Sequence, residues 1–136
     1  MCLVDAGYSG TPQLKKLGIV AGARWCTSNE PPNWSFESEP DAALRVADGA
    51  PADVVVAFVS AAAEIEPALV RLEPLIFPAG ALWIAWPRKG GGHASDITDN
   101  VVRDAALRRK LVDVKVAAID VDWSGLKLVW RREFRA

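Results

Sequence analysis

The residues best suited to chemistry gather in one glycine-rich stretch, Arg88-Lys89-Gly90-Gly91-Gly92-His93. Two cations beside three glycine amides, following a strand and approaching a helix N-terminus, are the ingredients of an anion cradle. Unhindered N–H groups and the helix dipole both favour negative charge there. The spacing is not that of a Walker loop, because no Lys-Ser or Lys-Thr pair closes it. An exposed connecting loop has the same composition, so the stretch is a candidate ligand-binding site with a structural alternative. His93 is the only histidine, and any imidazole acid–base chemistry must pass through it. Ser95 and Asp96 follow closely, but a triad is defined by geometry and not by adjacency, and no catalytic residue is assigned.

One histidine and two distant cysteines, Cys2 and Cys26, do not make a recognisable metal-ligand set. The cysteines also lack the spacing of a disulfide framework or of a redox Cys-x-x-Cys, which points to a reducing compartment. Asp120 and Asp122 flank Val121 and read as turn residues before they read as chelators. No glycine fingerprint for a dinucleotide is present, and no cofactor is expected. Sixteen basic against seventeen acidic side chains leave a net charge of −1, so the molecule has no overall field for gathering a phosphate backbone. Arg108-Arg109-Lys110 and the pair Arg131-Arg132 with Arg135 are locally basic and read as a solvated helix end and tail, although a folded hairpin could bring them together.

The elements that must position these residues follow from apolar patterning. Residues 53–59 and 81–86 are continuous apolar runs, as in strands covered on both faces, and the segment between them is helical. That order is a β-α-β crossover with two parallel, central strands. Upstream, a short helix at 13–17 is capped by Thr11-Pro12 and stopped by Gly18, and a first strand spans 24–28. Residues 33–40 read as a surface loop, and 41–46 as either a helical turn or a short edge strand. Ser60 is expected to cap the crossover helix, which Pro67 interrupts or restarts, with Leu69, Val70, Leu72 and Leu75 on its buried face. Asp96 or Thr98 caps a further helix whose Val101, Val102, Ala105 and Ala106 make an apolar stripe. Residues 114–121 and 126–132 form a hairpin around Asp122-Trp123-Ser124-Gly125, with Gly125 at positive φ. Trp123 is expected to fold back as a core anchor. The fold class is therefore α/β: a single small Rossmann-like three-layer domain over residues 1–136, its central sheet mostly parallel and closed by a C-terminal antiparallel hairpin.

Three segments also carry a resemblance. Gly7-Tyr8-Ser9-Gly10-Thr11-Pro12 with Lys16-Leu17-Gly18-Ile19, Ala81-Leu82-Trp83-Ile84-Ala85-Trp86-Pro87, and Asp113-Val114-Lys115-Val116 with Trp123-Ser124-Gly125-Leu126-Lys127-Leu128 resemble short bacterial proteins grouped as a domain of unknown function. That resemblance implies no reaction, substrate or catalytic residue. In architecture the second half is similar to part of the methyltransferase scaffold. Where that scaffold places a glycine-rich turn for its adenosyl cofactor, this chain has Asn29-Glu30-Pro31-Pro32, which supplies fewer N–H donors and a less open backbone.

Together these readings describe a cytoplasmic protein with no membrane-spanning run and no secretory signal, a non-catalytic module that binds a protein partner or a small anionic ligand. Two other classes stay open: a divergent group-transfer enzyme using a nucleoside cofactor, and a dimerisation module that pairs through the C-terminal hairpin.

Overall fold

The computed structural model of the protein describes residues 12–88 and 95–135. Its elements, in chain order, are α1 (Gln13–Leu17), β1 (Arg24–Ser28), β2 (Leu44–Arg45), β3 (Val54–Phe58), α2 (Ile65–Leu72), β4 (Ala81–Pro87), α3 (Asp99–Leu107), β5 (Leu111–Ala118) and β6 (Trp123–Trp130). The strands form one sheet in the order β2-β1-β3-β4-β6-β5. The first four run parallel, while β6 lies antiparallel between β4 and β5. This is the expected mostly parallel sheet with a terminal hairpin. The segment 41–46 resolves as an edge strand: Leu44 N–H donates to the Ala23 carbonyl and Val46 N–H to that of Trp25.

The crossover helices α2 and α3 cover one face. Ile65, Leu69 and Leu72 of α2 and Val102 and Ala106 of α3 pack onto Val55, Leu82, Ile84, Leu126 and Leu128. On the other face α1 contributes Leu17 over Val54, Val56 and Trp83, and aromatic rings complete the cover. Trp25, Phe36, Trp34, Phe58 and Trp123 follow one another edge to face, with centroids 5.1, 4.9, 4.9 and 5.0 Å apart. Such rings bury large apolar area and favour this T-shaped geometry. The stretch 33–40 is thus not wholly a surface loop, because Trp34 and Phe36 turn inward. Trp123 anchors the hairpin against Phe58, as its expected role requires.

Several local expectations are corrected. Pro12 occupies the N-cap position of α1 and not its first helical position, since its ψ of 141° is still extended; Thr11 lies outside the described residues. Gly18, at φ 85°, ends the helix in the left-handed region and returns its N–H to the carbonyls of Leu14 and Lys15. Ser60 does not cap α2. A 3-10 turn at Ala62–Glu64 precedes the helix, and Pro67 sits in its first turn, where an N–H is not needed. Val70 is half exposed and Leu75 only half buried, so the buried face of α2 is Ile65, Ala68, Leu69 and Leu72. Of the two candidate caps of α3, Thr98 is the one used, its Oγ1 accepting from Val101 N–H at 3.3 Å.

The hairpin turn lies three residues earlier than the Gly signal suggests, at 119–122 and not 122–125. Asp120 Oδ1 accepts from the N–H groups of Asp122 and Trp123 at 2.8 and 2.9 Å, closing the turn before β6 begins. Gly125 is inside β6 and is not among the positive-φ glycines. A side chain there would meet Ile119 Cδ1 at 2.6 Å and Trp83 Cε3 at 3.0 Å, so glycine serves close packing and not the turn.

Candidate functional site

The chain leaves β1 to form β2 on one side and returns across β1 to form β3 on the other, so the strand order reverses between β1 and β3. Open α/β sheets hold ligands beyond the carboxyl ends of such a pair. A cleft of about 470 Å³ opens there, lined by Ser28 and Asn29 after β1, Phe58 and Val59 after β3, Asp48, and Glu64 and Arg71 around α2. Alternation along β1 directs Ser28 toward α2, whose Arg71 Nη2 donates to Ser28 Oγ at 3.0 Å. Arg71 Nη1 stands 3.9 Å from Asp48 Oδ1 in an exposed pairing. Asn29 takes a left-handed φ of 56° and its Nδ2 donates to the Phe58 carbonyl at 3.0 Å, clipping the ends of β1 and β3 together. Glu64 Oε1 accepts from Ser60 N–H at 2.8 Å.

This set is suited to holding a ligand. Ser28 is only 3% exposed, and its hydroxyl accepts from a guanidinium, which cannot serve as a base. The guanidinium presents several donors and a permanent charge to whatever enters the cleft. Cys26, one turn of the pleat away, packs in the core beneath α2. Burial first, and then the Asp48 carboxylate, push its thiol above the ordinary range, so it is an inert core residue and not a nucleophile.

Of the sequence-derived site, Arg88 is described and Lys89, Gly90, Gly91, Gly92 and His93 lie outside the described residues. Arg88 continues from β4 against the hairpin turn: its N–H donates to the Asp122 carbonyl at 2.8 Å and its Nη1 to that of Val121 at 3.3 Å. It shares a cleft of about 380 Å³ with Thr98 and Asp99 at the start of α3. Arg88 and the first residues of α3 thus line the same cleft. Ser95 and Asp96 have structural partners. Ser95 Oγ donates to the Ser60 carbonyl at 3.3 Å, and Asp96 Oδ1 accepts from Ala62 N–H at 2.8 Å, tying this segment to the start of α2.

Sequence reasoning missed the Ser28–Asn29–Asp48–Arg71 grouping. A polar Ser-Asn pair at the end of a buried strand was a usable signal, whereas Asp48 and Arg71 belong to segments with no motif. Among the described residues no group of three or more His, Cys, Asp or Glu side chains is placed to hold a metal ion. No described helix is long and apolar enough to cross a membrane.

No family model matches the chain. No curated protein matches it either. Solved structures do. A protein in the NADB-Rossmann superfamily from Streptococcus agalactiae aligns over 93% of this chain and 71% of its own, with a TM-score of 0.53 at 9% identity. The fold is Rossmann-like. A Methanococcus jannaschii fibrillarin pre-rRNA processing protein aligns over 82% of this chain and 68% of its own, with a TM-score of 0.49 at 10% identity.

Proposed function

We propose that this domain is a non-catalytic binding module for a small anionic ligand, seated in the cleft between the ends of β1 and β3. The observation that carries the reading is the placement of Arg71, a permanent cation hydrogen-bonded to the buried Ser28, at the point where strand order reverses. An incoming carboxylate or phosphate would take the outward donors of Arg71 in place of its long, solvent-screened contact with Asp48. Asn29-Glu30-Pro31-Pro32 narrows the choice. A backbone without glycine at this turn holds a diphosphate poorly, so the reading favours a single small anionic group. Arg88, at the carboxyl end of β4, remains a second candidate anion contact under this proposal.

Thermal shift and calorimetry with inorganic phosphate, short carboxylates and adenosyl-methionine test it. Saturable stabilisation by phosphate or a carboxylate is expected, following the ratio of ligand concentration to dissociation constant. Arg71→Ala should abolish it, and Asp48→Asn, which removes the competing carboxylate, should strengthen it. Equal stabilisation of wild type and Arg71→Ala would reduce the effect to general salt and sink the reading. Saturable adenosyl-methionine binding with turnover would replace it by group transfer.

A further inference from the structure

The charges that line the cleft at the β1–β3 reversal are not those a simple anion would meet best. One guanidinium, that of Arg71, stands with two carboxylates, those of Asp48 and Glu64. A ligand carrying negative charge alone would be drawn to Arg71 and repelled by Asp48, whose Oδ1 lies 3.9 Å from Arg71 Nη1. That separation is too long for a hydrogen bond, so guanidinium and carboxylate stand side by side without closing on each other. Arg71 is held in place all the same. Its Nη2 donates to the hydroxyl of the buried Ser28, which takes one of the guanidinium's five N–H donors.

What complements such a pair is the reverse pair. A ligand with a carboxylate on Arg71 and an ammonium on Asp48 matches both charges, and the repulsion from Asp48 becomes attraction. In an α-amino acid these two groups are joined through a single carbon, which holds them at about the spacing of a contact ion pair. The surface next to Arg71 is apolar. Pro67 and Ala68 precede it by one turn of α2 and so share its face, while Val59 and Ala63 line the same space. Glu64 stands one turn further back, where it would repel an acidic side chain. From the adjacent charges of Arg71 and Asp48 and the apolar surface beside them, we infer that this cleft binds an α-amino acid with an apolar side chain. Its carboxylate lies on Arg71, its ammonium on Asp48 and its side chain against Pro67 and Ala68. The inference rests on the Arg71 reading above and adds to it the ammonium and the side chain.

Calorimetry of the intact protein with L-leucine, with isocaproate, which lacks only the ammonium, and with isoamylamine, which lacks only the carboxylate, is the test. Leucine is expected to bind saturably and at least several-fold more tightly than either. Asp48→Asn, at an exposed position, should weaken leucine several-fold and strengthen isocaproate, reversing their order. Absence of leucine binding, equal affinity of the wild type for leucine and isocaproate, or an Asp48→Asn variant that holds both more tightly overturns the inference. In each of those cases, binding of isocaproate or phosphate that Arg71→Ala abolishes leaves the anion reading standing. Binding of these anions that is equal in wild type and Arg71→Ala overturns both.

Discussion

Glu73 shows how a residue that reads as solvent-facing can be tied into the core. It is only 7% exposed, and both of its carboxylate oxygens are taken by Arg109, through Nε at 2.9 Å and through Nη2. Its carbonyl accepts from Trp130 Nε1 at 2.9 Å. The composition around Arg109 suggests a solvated basic helix end, but its hydrogen bonds to Glu73 raise its pKa above the ordinary range. The neighbouring cations are also engaged, since Arg131 Nη2 donates to the Arg109 carbonyl at 2.7 Å and the Arg131 guanidinium and Lys110 ammonium lie over the Phe134 ring. Folding therefore does bring the two basic clusters together. Removing one member of a largely buried pair strands the other, which costs about 3 kcal/mol. Glu73→Ala is expected to lose an amount of that order in urea unfolding, whereas Glu133→Ala, on an exposed residue, should change stability by no more than about 0.5 kcal/mol.

At the scale of elements, the strands were the most legible parts, because continuous apolar runs such as 54–58 and 81–87 leave few other solutions. The hairpin was legible as a pair of strands but not in its register. Gly125 reads as a turn signal, yet the turn is held by the Asp120 side chain and Gly125 is needed where Ile119 and Trp83 close over β6. A turn signal and a packing requirement leave the same letter in the sequence. Ile119 and Trp83 are both fully buried, so neither has room to withdraw. Gly125→Ala should accordingly lower stability by about 1–3 kcal/mol, as overpacking does, with the unfolding midpoint shifted and the slope unchanged. A neutral or stabilising result would mean that Ile119 repacks freely.

For the whole molecule, the open question of assembly moves from the tryptophans to an edge. Trp130 is buried, and Trp123 is half-buried with its ring against Phe58. β5 ends the sheet, and its Val114 and Val116 are exposed. A bulge between Asp113 and Lys115, and the lysine itself, blunt that edge. Pairing of two copies along β5 should therefore be weak and dependent on concentration. Sedimentation velocity across a wide concentration range checks this: association that Val116→Lys abolishes is expected, and a single monomeric species throughout would remove the hairpin from consideration as an interface.

Apolar runs, Pro and Gly punctuation and two helical stripes were enough to determine an α/β domain with parallel central strands and a final hairpin, because each of these signals acts over a few neighbouring residues. They also picked out Arg88 as lying at the carboxyl edge of the sheet, from its place just after a central strand. The Arg71 cleft and the aromatic cover were decided only in three dimensions. Arg71 reaches Ser28 across 43 positions of sequence, and Trp34 meets Phe58 and Asp120 from a stretch with no periodicity at all. Such contacts depend on which strands become neighbours and which face each side chain takes. Strand order is set by the packing of the whole sheet against its helices and rings, a balance of distant interactions that no local pattern encodes.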